Sequence, residues 1–270
     1  MPQAVRPPLP PRPPELAAQP AWRSVEFISD LHLAADMPAT RAALQAFLAA
    51  TDADAVFILG DLFEVWVGDD SRFDAFESGC VDALAGASAQ RPLYFMVGNR
   101  DFLAGHAFCA AAGLRALSDP TVLVAFGQRW LLSHGDALCV DDVDYQRFRA
   151  EVRSPSWQRA FLTQPLAHRR TVARQLRDAS DQRRRAMAVD GWADVDTAAA
   201  RVWLTGAGAP TLIHGHTHRP GDHDLGDGLR RLVLSDWDLD GDPQRRRAEV
   251  LRLEAAGVHR RSLAAGTGRA

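Results

Sequence analysis

The 270-residue chain contains no lysine; all 31 of its basic residues are arginine. Set against 34 acidic residues the net charge is −3, so no overall field draws the chain to nucleic acid. Arginine throughout reflects codon bias more readily than function, although a single guanidinium can still grip a phosphate with two parallel hydrogen bonds. Cysteine is scarce: Cys80, Cys109 and Cys139 are widely spaced and form no CxxC pair. That argues against a zinc ribbon or a disulfide framework and fits a reducing cytoplasm. No stretch approaches the roughly 20 apolar residues needed to span a bilayer, and no apolar block of signal-peptide length opens the chain. The expectation is a cytoplasmic protein, attached at most peripherally to a membrane surface.

What is present is unevenly distributed. Residues 1–20 hold eight of the 16 prolines, which predicts a disordered, polyproline-like tail over 1–21. One domain is expected over 22–254, with a flexible tail over 255–270. Apolar runs at 25–29, 55–59 and 93–97 alternate with helical spacing at 39–50, 73–84 and 107–112. Continuous apolar strands between helices indicate a mostly parallel sheet buried on both faces. Runs at 121–126 and 129–133 flank Gly127-Gln128 as a hairpin, and 211–213 is a further strand. Runs at 230–235 and 248–253 flank Gly241-Asp242 and are expected to close the pattern as antiparallel strands. The span 141–204 is long, rich in arginine and alanine, and without strand signal; it predicts a helical insertion that covers the site. Within it Phe161, Leu162, Leu166, Val172 and Leu176 interleave with Arg169, Arg170, Arg174 and Arg177. The pattern fits an amphipathic helix with a solvated basic face, or a lid whose arginines meet phosphates or an anionic membrane.

Chemistry concentrates where the apolar runs stop. Asp30-Leu31-His32, Gly60-Asp61, Gly98-Asn99-Arg100-Asp101, His134-Gly135-Asp136 and Gly215-His216-Thr217-His218 each put metal-binding side chains at a strand end. Residues two apart in an extended segment point to one side, so Asp30 pairs with His32, and His216 with His218. Glycines before Asp61, Asn99 and His216 permit sharp turns and close approach. A single such Asp would be a turn former or a helix cap. Five motifs at successive strand ends indicate two divalent ions sharing a bridging carboxylate, able to clamp a phosphoryl group and generate hydroxide at neutral pH. His214 is expected to point away from the ligands, and Asp136 to orient His134 from behind.

These motifs, in this order, resemble the calcineurin-like metallophosphoesterases. The fuller segments at 60–70, at 98–102, at His134-Gly135-Asp136 followed by Asp141, Asp142 and Tyr145, and at 213–220 resemble the UDP-2,3-diacylglucosamine hydrolases among them. The resemblance implies an α/β fold, a four-layer αββα sandwich with a helical lid. It implies one ion held by Asp30, His32, Asp61 and His218, and another by Asp61, Asn99, His134 and His216, with Asp61 bridging and two Mn2+ ions preferred. It also implies substrate contacts at Asn99, Arg100, Asp142, Tyr145, Ser180, Arg184 and His216, and direct catalytic roles for Arg100, Asp61 and His134. The implied reaction splits the pyrophosphate bond of UDP-2,3-diacylglucosamine by metal-hydroxide attack on the phosphorus next to uridine. The products are 2,3-diacylglucosamine 1-phosphate (lipid X) and UMP, in lipid A biosynthesis. That places the chain peripherally on the cytoplasmic face of the inner membrane of a Gram-negative bacterium, with no nucleic-acid partner and a monomer favoured.

Arg100 adds a chemical argument. Many members of the family carry Gly-Asn-His-Asp, where the histidine can protonate a leaving oxygen. A guanidinium cannot give up a proton near pH 7, yet it binds phosphate oxygens well. The departing group should therefore need no proton, as holds for a phosphate and not for an alkoxide. The competing assignment is another nucleotide diphosphate or a cyclic nucleotide, which the insertion and Arg100 disfavour. The structural alternative for Arg100 is a simple pairing with Asp101.

Overall fold

The computed structural model describes residues 12–186 and 194–263, the side chains of 178–186 excepted. The first half runs β1 (Glu15–Ala17), β2 (Ser24–Ile28), α1 (Pro38–Ala50), β3 (Ala55–Leu59), α2 (Ala75–Ser88), β4 (Leu93–Met96), α3 (His106–Ala112) and β5 (Leu114–Leu117). The hairpin β6 (Thr121–Ala125) and β7 (Gln128–Leu132) precedes four helices, α4 (Val143–Val152), α5 (Pro155–Leu162), α6 (Leu166–Ala186) and α7 (Thr197–Ala207). The chain closes with β8 (Thr211–His214), β9 (Gly221–Gly226), β10 (Leu229–Val233), β11 (Glu249–Glu254) and β12 (Gly257–Ser262).

Two six-stranded sheets result, ordered β12-β11-β2-β3-β4-β5 and β1-β6-β7-β8-β10-β9. Strands β2 to β5 are mutually parallel, as are β7, β8 and β10. Their apolar runs are two-sided, and alternate residues serve different layers. On β3, Ala55, Phe57 and Leu59 fill the space between the sheets, while Val56 and Ile58 meet α1 to α3. The inner face stacks Phe27 on Phe57 at 5.1 Å and Phe57 on Tyr94 at 4.6 Å between ring centroids. On the outer face of the second sheet, Ala200, Trp203 and Leu204 of α7 cover Val122, Leu131 and Leu212. The order helices–sheet–sheet–helix is the αββα sandwich that the resemblance implied.

Four expectations need correction. The tail over 1–21 is too long: Glu15–Ala17 pairs in parallel with β6, and Leu16 packs into the core between the sheets; residues 1–11 lie outside the described chain. The tail over 255–270 likewise contains β12, paired antiparallel with β11, with 264–270 outside the described residues. Strands β10 and β11 do not pair; β10 lies between β8 and β9, and β11 lies beside β2 in the other sheet. The insertion over 141–204 runs too far, because α7 is a core layer rather than part of a cover.

Candidate metal centre

Five strand ends from both sheets deliver the sequence-predicted donors to one place, as expected at the carboxyl ends of parallel strands. Asp30 and His32 follow β2, Asp61 follows β3, Asn99 follows β4, His134 follows β7, and His216 and His218 follow β8. The loops hold one another through their backbones. Asp30 N donates to Gly60 O, His32 N to Asp61 O, Gly215 N to His134 O and Trp237 N to Asp30 O, all at 3.0–3.1 Å. Asp30, His32, Asp61, His216 and His218 all have φ between 49° and 68°. Residues with a Cβ adopt this left-handed region only at a cost of about 1 kcal/mol or more, and such strain gathers at functional sites. Two glycines make the crowding possible. A Cβ at Gly98 would lie 2.1 Å from Asp61 Oδ1, and one at Gly215 would lie 2.2 Å from Asp30 Oδ2.

The donors fall into two overlapping groups. His32 Nε2 and His218 Nε2 are 3.1 Å apart. Asp30 Oδ1 lies 3.5 Å from His218 Nε2 and 4.0 Å from His32 Nε2. Asn99 Oδ1 lies 2.9 Å from His134 Nε2 and 2.8 Å from His216 Nδ1. Between the groups stands Asp61 Oδ2, 3.9 Å from His32 Nε2 and 3.7 Å from His134 Nε2. Asp30 also reaches the second group, since Asp30, Asp61 and His134 offer mutually close ligand atoms. Metal–ligand bonds of about 2.0–2.2 Å set neighbouring ligand atoms roughly 3 Å or a little more apart, so these groups fit divalent ions. Carboxylate and amide oxygens mixed with imidazole suit a first-row divalent ion.

Behind the donors a further layer fixes their orientation. His134 Nδ1 donates to Leu59 O at 2.9 Å, which leaves Nε2 facing the centre. His32 Nδ1 lies 2.9 Å from Glu64 Oε2. The N–H does not point along that contact, so it acts as a charge contact more than a straight hydrogen bond. His218 Nδ1 is 3.5 Å from Asp236 Oδ2, and Arg247 holds Asp236 in turn at 2.6 Å. The buried Asp101 accepts Gly98 N at 2.7 Å and Leu62 N at 2.8 Å, joining two donor loops. Glu64 and Asp236 were not singled out from sequence, and Asp101 was named only within its motif and as a partner for Arg100. Glu64 and Asp101 lie within the motifs, but their partners are set only by the fold.

Buried charges of both signs shape the titration. Burial opposes the His134 imidazolium, but Asp61, Asp30 and Asp136 push it up to about 9. Burial and the neighbouring His134 charge drive His216 down to about 3. Burial works against the Glu64 carboxylate, yet His32, Arg100 and Arg177 hold it down at about 2. Burial, then the nearby Asp61, pushes Asp101 up to about 6.

The remaining sequence-predicted residues divide. Arg100 donates its backbone N–H to Asp61 Oδ1 at 2.8 Å, and its guanidinium meets Glu64 at 3.3 Å rather than Asp101. Tyr145 stacks on His216 with centroids 6.0 Å apart, and its hydroxyl donates to Asp136 Oδ2 at 2.7 Å. Asp142 is exposed and caps α4 by accepting Tyr145 N. The side chains of Ser180 and Arg184 lie outside the described residues. Asp136 does not orient His134, whose Nδ1 is taken by Leu59 O. Instead, Asp136 Oδ2 accepts from Tyr145, from Arg149 at 2.8 Å and from Arg153 at 3.2 Å, fastening α4 beneath the centre. His214 is buried outside the donor set, donating Nδ1–H to Gly215 O, as expected. The lid reading of the arginines fails at two of them. Arg169 is buried against Val67 O, Gln164 O and Asp70, and Arg170 pairs with Asp74. Leu162 and Leu176 stay exposed.

The calcineurin-like phosphoesterase profile matches residues 24–220. A UDP-2,3-diacylglucosamine hydrolase of Chromobacterium violaceum is 50% identical over 216 residues, covering 79% of this chain and 90% of its own. One from Aromatoleum aromaticum is 46% identical over 240 residues, covering 87% and 94%. Among solved structures, Vps29 from Entamoeba histolytica is similar over 90% of this chain and 94% of its own, at a TM-score of 0.47 and 15% identity. The profile match and the half-identical relatives agree with the donor geometry, and the chain belongs to the UDP-2,3-diacylglucosamine hydrolase family of calcineurin-like phosphoesterases.

Proposed function

We propose that the protein hydrolyses the pyrophosphate bond of UDP-2,3-diacylglucosamine, releasing lipid X and UMP in lipid A biosynthesis. The relatives' names supply the substrate. The observation that carries the reading is Arg100 beside the donor set, with its backbone on Asp61 and its guanidinium only 12% exposed. A fixed cation that holds no transferable proton suits the release of a phosphate.

Asp30, His32, Asp61 and His218 are assigned to one ion, and Asp61, Asn99, His134 and His216 to a second, both Mn2+. When bound, such ions polarise a phosphoryl group and activate water near neutral pH. Asp61 Oδ2 stands between His32 and His134 and is positioned to serve both sites. Arg100 offsets charge on the equatorial oxygens while the phosphorus next to uridine is attacked in line. The lipid-linked phosphate leaves as an anion. Tyr145, Asp142, Ser180 and Arg184 are assigned to the sugar–diphosphate region, Tyr145 by its stacking on His216.

Among the described residues no helix is long and apolar enough to cross a membrane. The exposed Leu162 and Leu176 on the insertion offer apolar surface to acyl chains. The exposed leucines support peripheral attachment to a membrane; the cytoplasmic face of a Gram-negative inner membrane and a monomeric state belong to the same proposal. The test is turnover in 18O water with Mn2+, comparing the diacylated UDP-sugar with UDP-glucose and a cyclic nucleotide. The expected result is cleavage of the first alone, with 18O in UMP. Equal cleavage of all three overturns the lipid assignment, and 18O in lipid X overturns the site of attack.

A further inference from the structure

Glu64 is a largely buried carboxylate that meets three cationic groups from three parts of the chain. It follows β3, and its own backbone N–H is fixed on Leu33 O at 3.1 Å. Its two oxygens divide the work. Oε2 lies 2.9 Å from Nδ1 of His32, on the donor loop after β2. Oε1 lies 3.3 Å from Arg100 of the loop after β4, and 3.3 Å from Nε of Arg177 on α6. The Glu64 and Arg100 side chains are 12% exposed and Arg177 is 44% exposed. Arg177 is therefore the partner nearest to solvent, on the helix that the insertion lays over the centre. A carboxylate that gathers guanidiniums beside a phosphoryl site holds them where a more highly charged anion can take them over.

We propose that Glu64 is a positioning residue that couples the insertion helix α6 to the metal centre. Oε2 supplies a charge contact to Nδ1 of His32, and Oε1 holds Arg100 and Arg177 beside the donor loops. When the diphosphate enters, the guanidiniums exchange Glu64 for phosphoryl oxygens, so the seating of α6 and the charge felt by His32 pass through one side chain. The identity of the anion rests on the functional reading above; the coupling itself belongs to the chain.

The test uses Glu64→Gln, which keeps shape and removes charge, Glu64→Asp, which keeps charge on a shorter arm, and Arg177→Ala. Mn2+ affinity is measured by calorimetric titration, and backbone hydrogen exchange is followed across α6 in the metal-free full chain. Glu64→Gln is expected to weaken Mn2+ binding by about 10-fold or more and to speed exchange in α6. With the diacylated UDP-sugar it should also raise KM. Arg177→Ala should speed exchange in α6 while leaving Mn2+ affinity as in the wild type. Glu64→Asp should recover most of the Mn2+ affinity. The proposal is overturned if Glu64→Gln matches the wild type in either Mn2+ affinity or α6 exchange. It is equally overturned if Arg177→Ala leaves α6 exchange unchanged, a result that stands even if Glu64→Gln does not fold. A wild-type chain that fails to cleave the lipid substrate would count against the functional reading alone, because neither the Mn2+ titration nor the exchange measurement uses it.

Discussion

Asn99 Oδ1 touches both His134 and His216, and His134 bonds only to backbone behind it. Asn99→Ala or His134→Ala should therefore lower kcat at least 100-fold, about 2.7 kcal/mol of barrier. Far-UV circular dichroism should stay unchanged, since both side chains are polar and meet each other across the centre; full activity in either variant refutes the assignment. The raised His134 pKa, about 9, gives a second prediction. At pH 7 the metal-free ring carries a proton that must leave for Nε2 to bind an ion. Mn2+ uptake should release that proton at pH 7, together with charge from His32, where burial opposes the imidazolium but Glu64, Asp61 and Asp30 push its pKa up. The His134 release should fade as pH rises through about 9. His216, held down at about 3, contributes none. Calorimetry in buffers of different ionisation enthalpy counts the protons. The donors themselves were legible in the sequence because each motif ends an apolar run. Glu64 and Asp236 were not, because their partners come from other strand ends. Asp136 was misassigned for a related reason: nearness in sequence to His134 suggested contact, but the side chain turns to α4.

Among elements, the two-sided buried strands were legible and the sheet edges were not. The run at 55–59 is β3, residue for residue, with every position buried. Strands β1, β5, β9 and β12 were missed; each stands at an end of its sheet and has at least two exposed positions. Edge strands keep one side in water, so their apolar signal is weak. A chain that starts at residue 12 serves as the reference. Removing 1–18 strips β1 with Leu16 and should lower Tm by about 5 °C; equal stability of the two truncations would show that β1 adds nothing. The α4 junction permits a pH test. Burial opposes the Asp136 carboxylate, but Arg153 and Arg149 hold it ionised, well below the usual range. Its contribution is therefore present above pH 4 and is lost as pH falls below. Asp136→Asn should destabilise the metal-free chain by about 2 kcal/mol at pH 6 in urea unfolding. That gap should narrow progressively as pH falls below about 4, toward the depressed folded value; a constant gap would refute the electrostatic account.

At the scale of the whole molecule, the four-layer order was legible from the resemblance, while the crossing of the chain from β10 to β11 was not. A strand's local pattern shows that it is buried but not which sheet it joins. Because both sheets send donors to one centre, ions bound there tie the layers together. Chelation should abolish activity, restored by Mn2+, and lower Tm by several degrees without loss of secondary structure, as mass action requires for a ligand of the native state. An unchanged Tm would mean that the ions contribute nothing to folding. The five left-handed donor positions also separate two costs of substitution. Alanine at any of them removes a donor and keeps the strained backbone, whereas glycine removes the same donor and relieves the strain, so of each such pair the glycine variant should be the more stable while both lose the ligand.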